Sequence, residues 1–205
     1  MTSTSSVEFN GQVVVISGAA TGIGKASAQL IAARGATVVA LDFNAAALGE
    51  LASELKLSAS QTHVCDISSQ EQIDKAISAV LKDHGKIDAL INTAGIVGPS
   101  NTTVENVNWT DFEKVLQVNL YGAIWLTQAV IPSMKEKKYG RIVHLASIAG
   151  KEGNPGLSPY NTSKAGLIGF VKGVAKEVAP HGVVINALAP AVISTSKRIG
   201  ARWPT

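Results

Sequence analysis

Val13-Val14-Val15-Ile16 runs directly into Ser17-Gly18-Ala19-Ala20-Thr21-Gly22-Ile23-Gly24, which hands over to Lys25-Ala26-Ser27-Ala28-Gln29-Leu30-Ile31-Ala32-Ala33. The short β-branched apolar run reads as a buried strand. The stretch after the glycines is rich in helix formers. The glycines therefore occupy a strand-to-helix turn, where the absence of a Cβ permits a sharp bend and the close approach of a ligand. Free N–H groups at the helix start, backed by the positive end of its dipole, make such a turn a cradle for a diphosphate. The G-x-x-x-G-x-G spacing differs from the more usual G-x-G-x-x-G. Taken alone, the turn also fits a purely structural role.

The rest of the chain repeats the same alternation. Strands are expected at Thr37–Asp42, Thr62–Cys65, Asp88–Ile91, Arg141–Ala146 and Val183–Leu188. Helices are expected over Ala45–Leu55, Ser69–Lys82, a long stretch from Asp111 to Lys137 that Pro132 should kink or disturb, and Pro159–Val178. Gly35 and Gly85 read as helix stops. Apolar strands alternating with helices imply α/β architecture: a doubly wound parallel sheet of Rossmann type with helices on both faces. No linker or repeat interrupts residues 1–205, so a single dinucleotide-binding and catalytic domain is expected.

Composition excludes several classes. With 16% charged and 46% apolar residues, the chain can build a globular core. The net charge of +3 is small, and the basic residues lack the aromatic interleaving of a nucleic-acid surface. No apolar run reaches the roughly 18 residues of a membrane span. The one cysteine, Cys65, reads as a small buried residue and allows no internal disulfide. The four histidines have no metal-ligand spacing, so no metal is expected. The polar segment before the first strand resembles neither a signal nor a transit peptide. A cytoplasmic protein with neither nucleic acid nor membrane as partner is the expectation.

In such a sheet, ligands bind outside the carboxyl ends of the strands. Asp42 ends the second strand, where a carboxylate can accept from both hydroxyls of an adenosine ribose and repel a 2′-phosphate. That favours NAD over NADP. Asp42 could instead cap the next helix, a role Asn44 could also fill, and Lys25 could meet a 2′-phosphate. Asp66 ends the third strand and could contact adenine or start a turn. Asn92-Thr93-Ala94-Gly95 ends the fourth with small residues that let a cofactor lie close. Ser147 ends the fifth. Tyr160 and Lys164 lie one turn apart on the following helix, where an ammonium favours the phenolate and suits the pair to acid/base chemistry at an alcohol oxygen.

Together these residues resemble the short-chain dehydrogenase/reductase family, in its classical branch, from about Phe9 to Thr195. Its glycine motif matches Ser17 to Gly24, with Ser17 where threonine is more usual. Its N-N-A-G motif appears as Asn92-Thr93-Ala94-Gly95, Thr93 being the departure. Its catalytic asparagine, serine and Y-x-x-x-K match Asn119, Ser147 and Tyr160 to Lys164. Its Pro-Gly after the sixth strand is altered to Pro190-Ala191.

The resemblance implies NAD(H)-dependent interconversion of a secondary alcohol and a ketone. Tyr160 would move the substrate proton, Ser147 would hold the substrate oxygen, and Lys164 would bind the nicotinamide ribose. Asn119 would hold a water that relays the proton. Cofactor contacts would come from Gly18, Thr21, Gly22, Ile23, Gly24, Asp42, Asp66, Ile67, Asn92, Ala94, Gly95, Tyr160, Lys164, Pro190, Ile193 and Thr195. The stretch Ser147 to Gly166 is similar to members acting on sugars or sugar acids, which suggests a small polar substrate. The alternatives are an NADPH-dependent 3-oxoacyl reductase and a cofactor-binding interaction protein with little turnover.

Two further expectations concern shape. Gly166, Gly169 and Gly173 share one face of the helix after Tyr160, which suggests close packing against a second copy in a homo-oligomer. The family continues beyond this point with a substrate loop, a helix and a seventh strand. A chain ending at Thr205 would lack them, so NAD binding is expected to survive better than turnover.

Overall fold

A computed structural model describes residues 8–193 of the chain. The strand-turn-helix start forms as β1 (Val13–Ser17) and α1 (Gly22–Ala33). It is followed by β2 (Thr37–Asp42), α2 (Ala45–Leu55), β3 (Thr62–Val64), α3 (Gln70–His84), β4 (Ala89–Asn92) and α4 (Trp109–Leu116). Then come α5 (Gly122–Glu136), β5 (Gly140–Leu145), the short α6 (Ala149–Glu152), α7 (Ser158–Val178) and β6 (Val183–Leu188). All strands pair in parallel, in the order β3-β2-β1-β4-β5-β6. This is the doubly wound Rossmann arrangement, in which the chain winds outward in both directions from the border between β1 and β4.

Both faces are covered at β1 and β2, which explains why these strands read as unbroken apolar runs, whereas in β6 Val184, Asn186 and Leu188 are exposed. Side chains alternate between the faces of β1. Val14 and Ile16 pack with Ala28, Leu48 and Leu51 of α1 and α2. Val13 and Val15 pack on the other side with Ile73, Ile77, Leu126, Leu167 and Val171 from α3, α5 and α7. Among the described residues no helix is long and apolar enough to cross a membrane.

The expected helix from Asp111 to Lys137 differs in detail. It begins at Trp109, and a π-helical turn over Gln117–Tyr121 joins α4 to α5. The Gly122 N–H reaches back to the Gln117 carbonyl. Pro132 does not end it, because α5 continues through Pro132 to Glu136. A further irregularity sits around Asn119, whose side chain is bonded to Ile96 in the loop after β4. The glycine face of α7 is also revised. A Cβ on Gly166 would lie 3.0 Å from Leu120 of the π-turn, so this glycine serves internal packing, whereas Gly169 and Gly173 face open space.

Candidate active site

At the β1/β4 border, Ser17 and Asn92 are register partners, and the Ser17 hydroxyl donates to Asn92 Oδ1 at 2.5 Å. Above them a groove of about 1210 Å³ runs across the carboxyl ends of β1, β2, β4 and β5. Its wall includes Gly18, Thr21, Gly22, Ile23 and Gly24. Gly18 has φ +68°, and a Cβ there would lie 2.8 Å from Ala94 Cα, so only glycine fits both the turn and the packing. Helix α1 starts with no side-chain cap and no acidic residue in its first turn. Its positive end therefore faces the groove without a competing carboxylate, which fits a bound diphosphate.

Asp42 lines the same groove and is buried. Its Oδ2 accepts from Ala20 N and its Oδ1 from Asn44 N, both at 3.0 Å. The cap of α2 is Asn44, whose Oδ1 accepts from Ala47 N at 3.1 Å, so Asp42 is not needed there. Lys25 does not line the groove: its Nζ lies 2.7 Å from Glu54 Oε2 on α2, and Glu54 also accepts from Gln29. Its ion pair and side-chain hydrogen bonds hold the Glu54 carboxyl below its ordinary range.

Asp66 and Ile67 line the groove beside Cys65, which burial and the Asp66 charge push up to about 11. Asp66 both starts a turn and faces the groove, since its Oδ1 accepts from the Ser68 amide and hydroxyl.

Ser147, Tyr160 and Lys164 converge at the other end. Ser147 follows β5, where Ile148 N–H binds the Pro190 carbonyl and draws the chain after β6 alongside. Ser147 Oγ accepts from Ala149 N at 3.2 Å. Lys164 is buried, donates to the Leu145 carbonyl at 2.7 Å, and sits 5.7 Å from the Tyr160 ring centre. Burial pushes its ammonium down to about 8. A Cβ on Gly95 would lie 3.4 Å from Lys164 Nζ, so the bare Gly95 backbone keeps the space beside the ammonium open.

Asn119 is gathered with these residues but does not line the groove. Its Oδ1 accepts from Ile96 N and its Nδ2 donates to Ile96 O, both at 2.8 Å. Nδ2 also reaches Ser163 Oγ at 3.0 Å, and that hydroxyl donates to the Tyr160 carbonyl at 2.8 Å. The side chain is thus committed to holding the β4 loop against the turn of α7 that carries Tyr160.

Asn92 likewise lies beneath the groove. Its Nδ2 donates to His144 Nδ1 at 3.1 Å; His144 Nε2 meets Thr127 Oγ1 at 2.9 Å, and Thr127 donates to the Ala123 carbonyl at 2.7 Å. Because an amide nitrogen can only donate, Nδ1 accepts and Nε2 carries the proton. Burial, with a smaller contribution from the Lys164 charge, pushes His144 down to about 4.

Ala94, Pro190 and Ile193 also line the groove, while Thr195 lies outside the described residues. Sequence reasoning did not find Phe43 or the α4 wall of Thr110, Glu113 and Lys114. Phe43 adjoins Asp42 and could have been suspected there. The α4 residues carry no local signal, because their approach depends on how α4 lies over the sheet. Among the described residues no three His, Cys, Asp or Glu side chains gather to hold a metal ion.

The short chain dehydrogenase family model matches residues 12–202. A 2-dehydro-3-deoxy-L-rhamnonate dehydrogenase (NAD(+)) of Sphingomonas sp. is 40% identical over 191 residues, covering 91% of this chain and 74% of that protein. A 3-oxoacyl-[acyl-carrier-protein] reductase of Thermotoga maritima is 38% identical over 191 residues, covering 92% and 77%. Among solved structures, NAD+-bound xylitol dehydrogenase superposes with a TM-score of 0.85 at 36% identity, covering 90% of this chain and 71% of that one. The Ser17–Gly24 turn, the sheet order and the Ser147–Tyr160–Lys164 grouping thus agree with a match across the whole described fold: this chain belongs to the short-chain dehydrogenase/reductase family of oxidoreductases.

Proposed function

We propose that the protein is an NAD(H)-dependent oxidoreductase interconverting a secondary alcohol and a ketone on a small polar substrate such as a sugar or sugar acid. The observation that carries the cofactor preference is the pairing at the ribose end of the groove. Asp42 presents a carboxylate there, while Glu54 holds Lys25, the nearest cation after the glycine turn, on α2. A 2′-phosphate would meet a negative charge without the Lys25 counter-charge. The rhamnonate-type and xylitol dehydrogenase relatives support the polar substrate.

A bound nicotinamide supplies hydride exchange at carbon. The chain supplies position and proton management. The Ser147 hydroxyl, already accepting from Ala149 N, is left to donate to the substrate oxygen. Tyr160 takes the hydroxyl proton in the oxidative direction and returns it in the reductive one. Lys164 would hold the nicotinamide ribose and places a positive charge beside the phenol. The Asn119 side chain, bonded to the Ile96 amide and carbonyl and to Ser163 Oγ, ties the loop after β4 to the turn bearing Tyr160, and Asn119 would hold the water that relays the proton.

A second reading, a 3-oxoacyl reductase, is favoured by relatives of that description such as the Thermotoga maritima protein. One solved relative, a 3-ketoacyl-(acyl-carrier-protein) reductase from Brucella melitensis, was crystallised with NADH. Fluorescence titration with NADH and NADPH tests the cofactor, and a panel of polyols, sugar acids and acetoacetyl thioesters tests the substrate. Tighter NADH binding and turnover of a polyol or sugar acid are expected. Equal affinity for both dinucleotides would sink the NAD assignment, and turnover of the thioester alone would select the second reading.

A further inference from the structure

The four residues Ser17 to Ala20 leave β1 with their backbone polar groups held from both sides. Toward β2, Ala19 N donates to the Leu41 carbonyl at 3.1 Å and Ala20 N to Asp42 Oδ2 at 3.0 Å. Toward β4, the holder is Thr93. Its backbone N donates to the Ser17 carbonyl at 3.0 Å. Its side-chain hydroxyl donates to the same carbonyl at 2.7 Å and lies 3.2 Å from the Gly18 carbonyl. Thr93 also occupies the space left by two glycines: a Cβ on Gly18 would lie 3.0 Å from Thr93 Oγ1, and one on Gly24 would collide with it.

This arrangement decides which way the loop carbonyls point. A cradle for a diphosphate must turn N–H groups toward the ligand and carbonyls away from it, since a carbonyl oxygen facing a phosphate is repulsive. The Thr93 hydroxyl donates to the Ser17 carbonyl from the β4 side and lies against the Gly18 carbonyl, which fixes the course of the turn between them. Only a donor at this position supplies that bond: an apolar side chain of the same shape would leave the Ser17 carbonyl with the Thr93 N–H alone and the Gly18 carbonyl against a methyl group.

Resting on the dinucleotide reading above, we propose that Thr93 is a positioning residue for the diphosphate-binding turn, acting through the Ser17 and Gly18 carbonyls. The residue is one of the three departures from the family motifs noted in the sequence, and it bonds to the backbone carbonyl of another, Ser17.

The test compares Thr93→Val, which removes the donor and keeps the shape, with Thr93→Ser, which keeps the donor. NADH affinity is read by fluorescence, and ADP-ribose and adenosine are read by competition. Thr93→Val is expected to weaken NADH and ADP-ribose about tenfold and adenosine less than twofold; Thr93→Ser should stay within about twofold throughout. Thr93→Ala, which relieves any packing strain of the valine, should repeat the Thr93→Val pattern if the valine variant does not fold. Undiminished NADH binding in the donor-free variants overturns the proposal, as does an equal loss for adenosine or for Thr93→Ser. Failure of the unmodified chain to bind either dinucleotide would instead overturn the dinucleotide reading itself, a distinct result.

Discussion

Asn92 donates its amide to His144 Nδ1 at 3.1 Å across the β4/β5 pair, and this bond fixes the imidazole as a neutral Nε2–H donor inside the sheet. The chain Ser17, Asn92, His144, Thr127 is directional, each member donating to the next. A proton added at Nδ1 would face the Asn92 amide protons, and charge would appear in a fully buried site near Lys164.

The first prediction follows from that neutrality. His144 stays unprotonated in the folded protein down to about pH 4, whereas in the unfolded chain it titrates near its ordinary value of 6.5. Between these values the unfolded state binds more protons, so stability falls as pH drops from 6.5 to 4, by about 3 kcal/mol in full. Urea midpoints measured across this window should show the fall. In His144→Gln this contribution should disappear, leaving only that of other titrating groups.

Lys164 makes a second pH-dependent contribution, in the alkaline range. Folded, it loses its proton near 8; unfolded, it keeps it to 10.5. The unfolded state again binds more protons in between, so stability rises with pH through that window, by about 3 kcal/mol at most. Lys164→Met should flatten the rise in urea midpoints between pH 8 and 10.

Tyr160→Phe removes one hydroxyl from a residue whose ring is partly buried. Folding and NADH affinity should be retained, because the ring remains in place. Steady-state turnover should fall by at least about 100-fold, as expected when acid/base transfer is lost. Activity near the original level would mean that another group moves the proton.

The outer face of α7 gives the fourth prediction. Gly169 and Gly173 face open space and border a second groove of about 410 Å³ shared with Ile131 of α5. If a second copy packs there, light scattering should report a homo-oligomer, and Gly173→Arg should convert it to monomer. Gly173→Ala discriminates further. On a solvent-facing helix it should stabilise by up to about 1 kcal/mol, whereas against a partner backbone it should weaken association.

What was legible in the sequence was whatever local chemistry decides. The runs that became β1 and β2 are continuous and apolar because both sheet faces are covered there, and Gly18 marks a turn no other residue could make. The end of β2 could be read as part of the crevice because strand ends define it, and Asp42 does line the groove. The π-turn at Asn119 could not be read. Gln117-Val118-Asn119-Leu120-Tyr121 has ordinary helical composition, and the bonds that fix Asn119 in the turn go to Ile96, 23 residues away. Gly166 misled for the same reason: its neighbour Leu120 belongs to that turn. His144 offered only the absence of metal-ligand spacing, since its partners come from β4 and α5.

Asp42 carries a consequence for anyone redesigning cofactor preference. Its two oxygens each receive a backbone N–H, from Ala20 on one side and Asn44 on the other. An aspartate can serve both because both ends accept, whereas an asparagine has one accepting end and one donating end. Whichever way an asparagine is turned, one N–H meets another, and alanine strands both. Removing the charge to admit a 2′-phosphate therefore also unfastens the glycine turn. A successful swap must bring a replacement acceptor for Ala20 N along with the new cation, so the proposed ribose contact and the order of the loop are inherited as one trait.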